Sequence, residues 1–192
     1  MKNLEKTLKE LKNKGLDYRI TETLRSPIKQ AKYYRKGRTT TEVANAINFL
    51  KSKNCTFLAK CIETVGPQAG SKKITWAHPG FSWHQWDEAA DIAWFHNGVF
   101  ITNANEIINN IKGYELLAQT AVKNNLTSGF YWSPQDAMHI QNRNGKVKDY
   151  YEYEEVDIIM KRQFENELKE VSNCNVLWWE NLKDDDDEKF FH

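Results

Sequence analysis

Residues Phe81–Phe95 read FSWHQWDEAADIAWF. The stretch sets His84 seven positions ahead of Asp91, inside a run of Trp, Ala and Phe with the character of a buried strand. On one unbroken strand, positions seven apart point to opposite faces. If instead 82–84 closes one strand, 85–88 turns and 89–94 opens the next, His84 and Asp91 face a common cavity across a hairpin. They are then either a hydrogen-bonded polar pair tolerated by the core or two groups held together by something charged.

A chain of 192 residues is long enough to bury one substantial core. With 28% charged residues, a mean hydropathy of −0.73 and no apolar run of about 18 residues, no membrane span is expected. The N-terminus, MKNLEKTLKELKNKG, lacks the apolar core of a secretory signal, so cytoplasmic synthesis is expected. Cys55, Cys61 and Cys174 form no C-x-x-C pair and read as buried thiols, not a disulfide framework or a cysteine metal site. The net charge of +1 points to no acidic partner, and the basic run KQAKYYRKGR (29–38) reads as a solvated helix face, so no nucleic acid is expected.

Leu4, Leu8 and Leu11 predict a helix over 3–14, stopped by Gly15. DYRITET (17–23) alternates as a strand. Ser26-Pro27 is a cap followed by a first helical position, giving a helix over 27–36, and Thr41 opens another over TEVANAINFLKSK. Residues 66–80 form a loop, a helical region spans 104–124 with a break at Gly113, and GFYW is a strand. HIQNRNGKVKDY is a hairpin about Asn144-Gly145, and 154–171 is a last amphipathic helix. Separated helices and short strands give an α+β class. We read 1–150 as the principal domain and 151–192 as a C-terminal helix and acidic tail extending it. Trp178-Trp179 are read as packing residues and Asp184–Glu188 as a solvated tail.

Of five histidines, His192 is terminal, His96 adjoins the Asn97-Gly98 turn, and His78 lies in a loop. His84 and His139 sit in apolar, strand-like surroundings, each with a carboxylate nearby. Catalytic zinc takes three such protein ligands and leaves a position for water. In SPQDAMH (133–139) one helical turn would bring Asp136 to the side of His139. Taken singly, Asp136 could equally cap Ser133, and Arg25 could be an ordinary ion-paired arginine.

Ser82-x-His84, Ala89-x-Asp91 and Asp136-x-x-His139, with TETLRSPIKQAKYYRKGRT upstream, together resemble the zinc peptidoglycan peptidases of the D-alanyl-D-alanine carboxypeptidase family, in particular the phage L-alanyl-D-glutamate endopeptidases. The resemblance spans Tyr18 to Gln141. It implies a Hedgehog/DD-peptidase-like fold with a small antiparallel sheet flanked by helices. It also implies Zn2+ on His84, Asp91 and His139, Asp136 as general base, Arg25 polarising the scissile carbonyl, and Ser82 orienting a ligand or touching substrate. The implied substrate is the bacterial peptidoglycan stem peptide, with L-Ala-D-Glu cleavage favoured over D-Ala-D-Ala cleavage. The implied actor is a monomeric phage or prophage lysin that reaches the wall after release. Two departures stand out. Asp87 replaces the family's glycine between the ligands, where a positive φ would suit aspartate better than most residues, and Met138 precedes His139. Asp87 supports an alternative, a non-catalytic module that keeps the fold and binds wall peptides or a protein partner. Of Trp76, Trp83, Trp86, Trp94 and Trp132, most are expected in the core and one or two along a groove.

Overall fold

The structure is a computed structural model that describes the backbone over residues 2–184 and side chains over residues 2–173. The side chains of Cys174 and Trp178-Trp179, and the acidic tail after Asp184 together with His192, therefore lie outside the described residues. The chain runs α1 (Lys2–Asn13), β1 (Asp17–Glu22), α2 (Pro27–Arg35), α3 (Thr40–Ser52), α4 (Thr56–Thr64), β2 (Ala89–His96), β3 (Val99–Phe100), β4 (Ile107–Ile108), β5 (Ile111–Lys112), α5 (Gly113–Lys123), β6 (Thr127–Ser128), β7 (His139–Gln141) and α6 (Tyr153–Asp184). The class is α+β, with a small antiparallel sheet. Two compact units divide the contacts, one of residues 1–25 and 82–150, the other of residues 26–81 and 151–192. No helix among the described residues is long and apolar enough to cross a membrane.

In the first unit the sheet order is β1-β2-β7-β6, with β3 also pairing β2. Alternation along β2 separates two jobs. Ala90, Ile92 and Trp94 join a core with Leu4 and Leu11 of α1 and Tyr114, Leu117 and Ala121 of α5, so Asp91, one position out of step, faces the other way. The expected helix over 104–124 is confined to its second half. Asn109 and Asn110 take φ of 51° and 63° and turn β4 into β5, a pairing that the apolar run IINNI disguises as helix. Gly113 then starts α5 where the backbone meets Trp94 directly: a Cβ there would lie 2.3 Å from the indole.

Three further expectations are corrected. Residues 83–86 form a 3-10 turn, not the end of a strand, so no hairpin joins His84 to Asp91. GFYW is likewise a 3-10 turn over Gly129–Tyr131, with β6 just before it. No hairpin forms about Asn144-Gly145, because only Gly145 has positive φ and a type I′ turn needs two such residues. Side chains tie that loop instead: Trp83 Nε1 donates to Gly145 O at 2.9 Å, and Gln141 Nε2 donates to Arg143 O at 2.6 Å.

In the second unit Ser26 caps α2, with Pro27 at its first position, and Thr39 and Glu42 form a reciprocal capping box on α3. Helix α4, which no local signal announces, takes its cap from α6. Buried Asp157 accepts from Leu58 N at 2.8 Å and Phe57 N at 3.2 Å. Cys55 and Cys61 are buried thiols, as expected.

His78 packs against Tyr34 and Phe49, and its Nε2 lies 3.1 Å from Tyr34 Oη. Burial, and secondarily the charge of Arg38, depress its pKa from 6.5 to about 4. The unfolded chain therefore takes up this proton first as the pH falls, and stability present at neutral pH is lost between about 6.5 and 4. Replacing His78 with Gln should flatten the pH dependence of denaturant midpoints across that window. An unchanged slope would show that His78 is not its source.

Candidate metal centre

Four local structures meet at one point of the first unit. The 3-10 turn supplies His84, and its carbonyl accepts from Arg25 N at 3.1 Å. Asp87 ends the turn at φ 55°, ψ 29° and lets the chain enter β2. The left-handed conformation suits aspartate among non-glycine residues, and the exposed Asp87 is not among the converging groups. In β2, Asp91 is paired directly with His139 of β7 on one side and with Glu22 of β1 on the other, placing three polar side chains in one cross-strand row.

His84, Asp91 and His139 form the group of described residues able to hold a metal ion. His84 Nε2 lies 3.3 Å from His139 Nδ1 and 3.3 Å from Asp91 Oδ1, and His139 Nδ1 lies 3.4 Å from the same oxygen. Donors at about 2.0–2.1 Å from a tetrahedral zinc stand roughly 3.3 Å apart, so the triangle already has the dimensions of one tetrahedral face.

The outer nitrogens decide what the inner ones offer. His84 Nδ1 lies 2.8 Å from Thr23 O, an obligate acceptor, so Nδ1 carries the proton. His139 Nε2 lies 3.0 Å from Gln141 Oε1. The Gln141 amide is oriented by Nε2 donating to the carbonyls of Arg143 and Gly145, so its oxygen must face His139, whose Nε2 is the donor. Each neutral imidazole thus turns a lone pair towards the Asp91 carboxylate. Three acceptors facing one another require positive charge between them, supplied by a metal ion or by protons on the imidazoles. Burial is the largest single influence on Asp91 and pushes its pKa up. When the inner nitrogens carry protons, the hydrogen bonds and charges of His139 and His84 outweigh it, and the carboxyl is held well below the usual range. The donor set and its geometry therefore fit zinc.

Arg25 and Asp136 flank this triangle. Arg25 is buried and donates through Nη2 to Asp91 Oδ2 at 3.1 Å and through Nε to Glu22 Oε2 at 2.9 Å. Glu22, which no sequence motif singled out, holds the guanidinium against the carboxylate. Asp136 is brought in by a turn and not by the helical turn expected over 133–139: His139 N donates to Asp136 O at 3.2 Å and Asp136 N donates to Gly129 O at 2.9 Å. Gly129 permits that approach, since a Cβ would lie 2.5 Å from Asp136 O. No helix begins at Ser133, so Asp136 caps nothing there. Its side chain is open to solvent on one side. The partial burial of the carboxyl, aided by Asp91, raises its pKa against the opposing charges of His139, His84 and Arg25.

The remaining candidates separate cleanly. Ser82 precedes the 3-10 turn and its backbone N–H donates to Gln85 Oε1 at 3.0 Å. Trp83 and Trp94 are core residues, whereas Trp132, 41% exposed, lays its ring 5.0 Å from that of His139 and walls the cluster.

Gln141→Met keeps the side-chain length and removes the acceptor that sets the His139 tautomer. Zinc affinity, measured by competition with a chromogenic chelator, should fall about 10–100-fold; unchanged affinity would refute the orienting role. Compared with known proteins, the chain matches no protein-family model and no curated protein.

Proposed function

We propose that this chain is a zinc-dependent peptidase of the bacterial cell wall, hydrolysing an amide bond of the peptidoglycan stem peptide on a Hedgehog/DD-peptidase-like fold. L-Ala-D-Glu cleavage is the favoured specificity, and a phage or prophage lysin acting as a monomer is the favoured setting. The observation that carries the proposal is the convergence of His84 Nε2, His139 Nδ1 and Asp91 Oδ1, with both imidazole tautomers set by outer acceptors. The order and spacing of the motifs that resemble the peptidase family support it.

Zinc held by these three residues would activate a water for attack and polarise the scissile carbonyl. Everything else is supplied by the chain. Asp136 stands beside the cluster with a raised pKa, suited to accepting a proton from the attacking water and returning it to the leaving amine. Arg25, fixed by Glu22, places a permanent positive charge next to Asp91, where negative charge develops on the tetrahedral oxygen. A lysine there would lose the rigid fork that contacts both carboxylates. Trp132 offers an apolar wall for the peptide. Asp87 sits in a backbone conformation that aspartate accepts, so it gives no reason to prefer the non-catalytic reading.

Purified peptidoglycan treated with the protein should release fragments whose new amino and carboxyl ends, read by mass spectrometry, disappear when a chelator is added. No release by zinc-loaded protein would sink the proposal. Asp136→Ala should retain zinc and lose about 10²–10⁴ in turnover, while His84→Ala should lose both zinc and activity. Full activity in Asp136→Ala would remove the assigned base.

A further inference from the structure

The second unit carries a surface that the peptidase chemistry leaves unused. Lys36-Gly37-Arg38 follow helix α2, and the loop Gly70–Trp76 lies directly against them. Gly37 N donates to Gly70 O at 3.1 Å, and a Cβ on Gly37 would lie 2.4 Å from the Lys72 carbonyl carbon. Arg38 fastens the two segments, donating to Tyr34 O at one end and to Thr75 O at 2.7 Å at the other.

The contact brings cations and aromatic rings together in alternation. The Arg38 guanidinium lies 5.6 Å, and the Lys73 ammonium 5.4 Å, from the centroid of Trp76, a side chain that is 69% exposed. Lys36 stands 5.8 Å from the Tyr33 ring. Neither 29–38 nor 70–76 contains an acidic residue, and Lys73 pairs with Glu42. An indole left open to water, with two cationic side chains near its ring and the Thr75 carbonyl before it held by Arg38, suits a chain that alternates anionic groups with carbon-rich segments.

We propose that Tyr33, Lys36, Arg38, Lys72, Lys73 and Trp76 bind a polyol-phosphate chain of the cell wall, holding the protein on the polymer matrix that surrounds its substrate. The choice of a wall polymer over single-stranded nucleic acid rests on the peptidase reading above.

The test is titration of the full chain with poly(glycerol phosphate), and separately with a single-stranded oligonucleotide of matched charge, at low and high salt. Zinc is left in place in one series and chelated in the other. Expected are saturable binding to the polyol phosphate that weakens as salt rises, and a loss of about tenfold in Trp76→Ala with zinc content unchanged. A combined K36Q/K72Q variant should bind more weakly and show a shallower salt dependence. Tighter binding to the oligonucleotide would overturn the proposal in favour of nucleic acid. Polymer binding that Trp76→Ala leaves intact would overturn it as unspecific charge attraction. Because binding is read in chelated protein, its failure is separable from failure of the peptidase reading, which is judged by released fragments alone.

Discussion

Three acceptor atoms aimed at one point are the constraint on which the first unit turns. His84, Asp91 and His139 each present a lone pair to a space bounded by contacts of 3.3–3.4 Å, and such a triangle is stable only around positive charge. The arrangement is enforced from outside. A backbone carbonyl holds one imidazole and a side-chain amide, itself locked by two carbonyls, holds the other. Arg25 and Glu22 add a second layer of charge on the far oxygen of Asp91. The fold itself thus sets the donor geometry, which would lower the ordering cost of binding an ion.

The sheet makes that geometry possible. Antiparallel pairing sets Asp91 opposite His139 and Glu22 opposite Asp91, and the two-residue period of β2 sends Ile92 and Trp94 into the core while Asp91 faces the site. A slip of one residue would exchange these faces, burying the carboxylate among α1 and α5 and exposing the indole. Packing against the helices thus protects the register, and the register protects the donor triangle. Gly113 and Gly129 serve the same end. Each removes a Cβ where the backbone must approach a neighbour, Trp94 in one case and the Asp136 turn in the other.

Where local reading and structure parted, long-range contacts or asparagine turns were responsible. Asn109-Asn110 breaks a run whose apolar spacing suits a helix. The cap of α4 is Asp157, about a hundred positions away in α6. The loop after β7 abandons the turn that Asn144-Gly145 would favour, because Gln141 and Trp83 compete for its carbonyls. The 3-10 turn at 83–86 delivers His84 by a route different from the expected hairpin, yet the pairing of His84 with Asp91 is the one the sequence suggested.

By itself the sequence determined the α+β class, the Ser26-Pro27 start of α2, the buried thiols Cys55 and Cys61, and the identity of the residues that converge. These properties live in short-range patterns: apolar periodicity, a capping side chain, a histidine set among aromatic residues. Only the tertiary structure decided the tautomer each imidazole presents, the roles of Glu22 and Gln141, the turn that carries Asp136, and which tryptophans are buried. Those depend on strand register and on backbone carbonyls from distant segments, and neither carries a local signature in the chain.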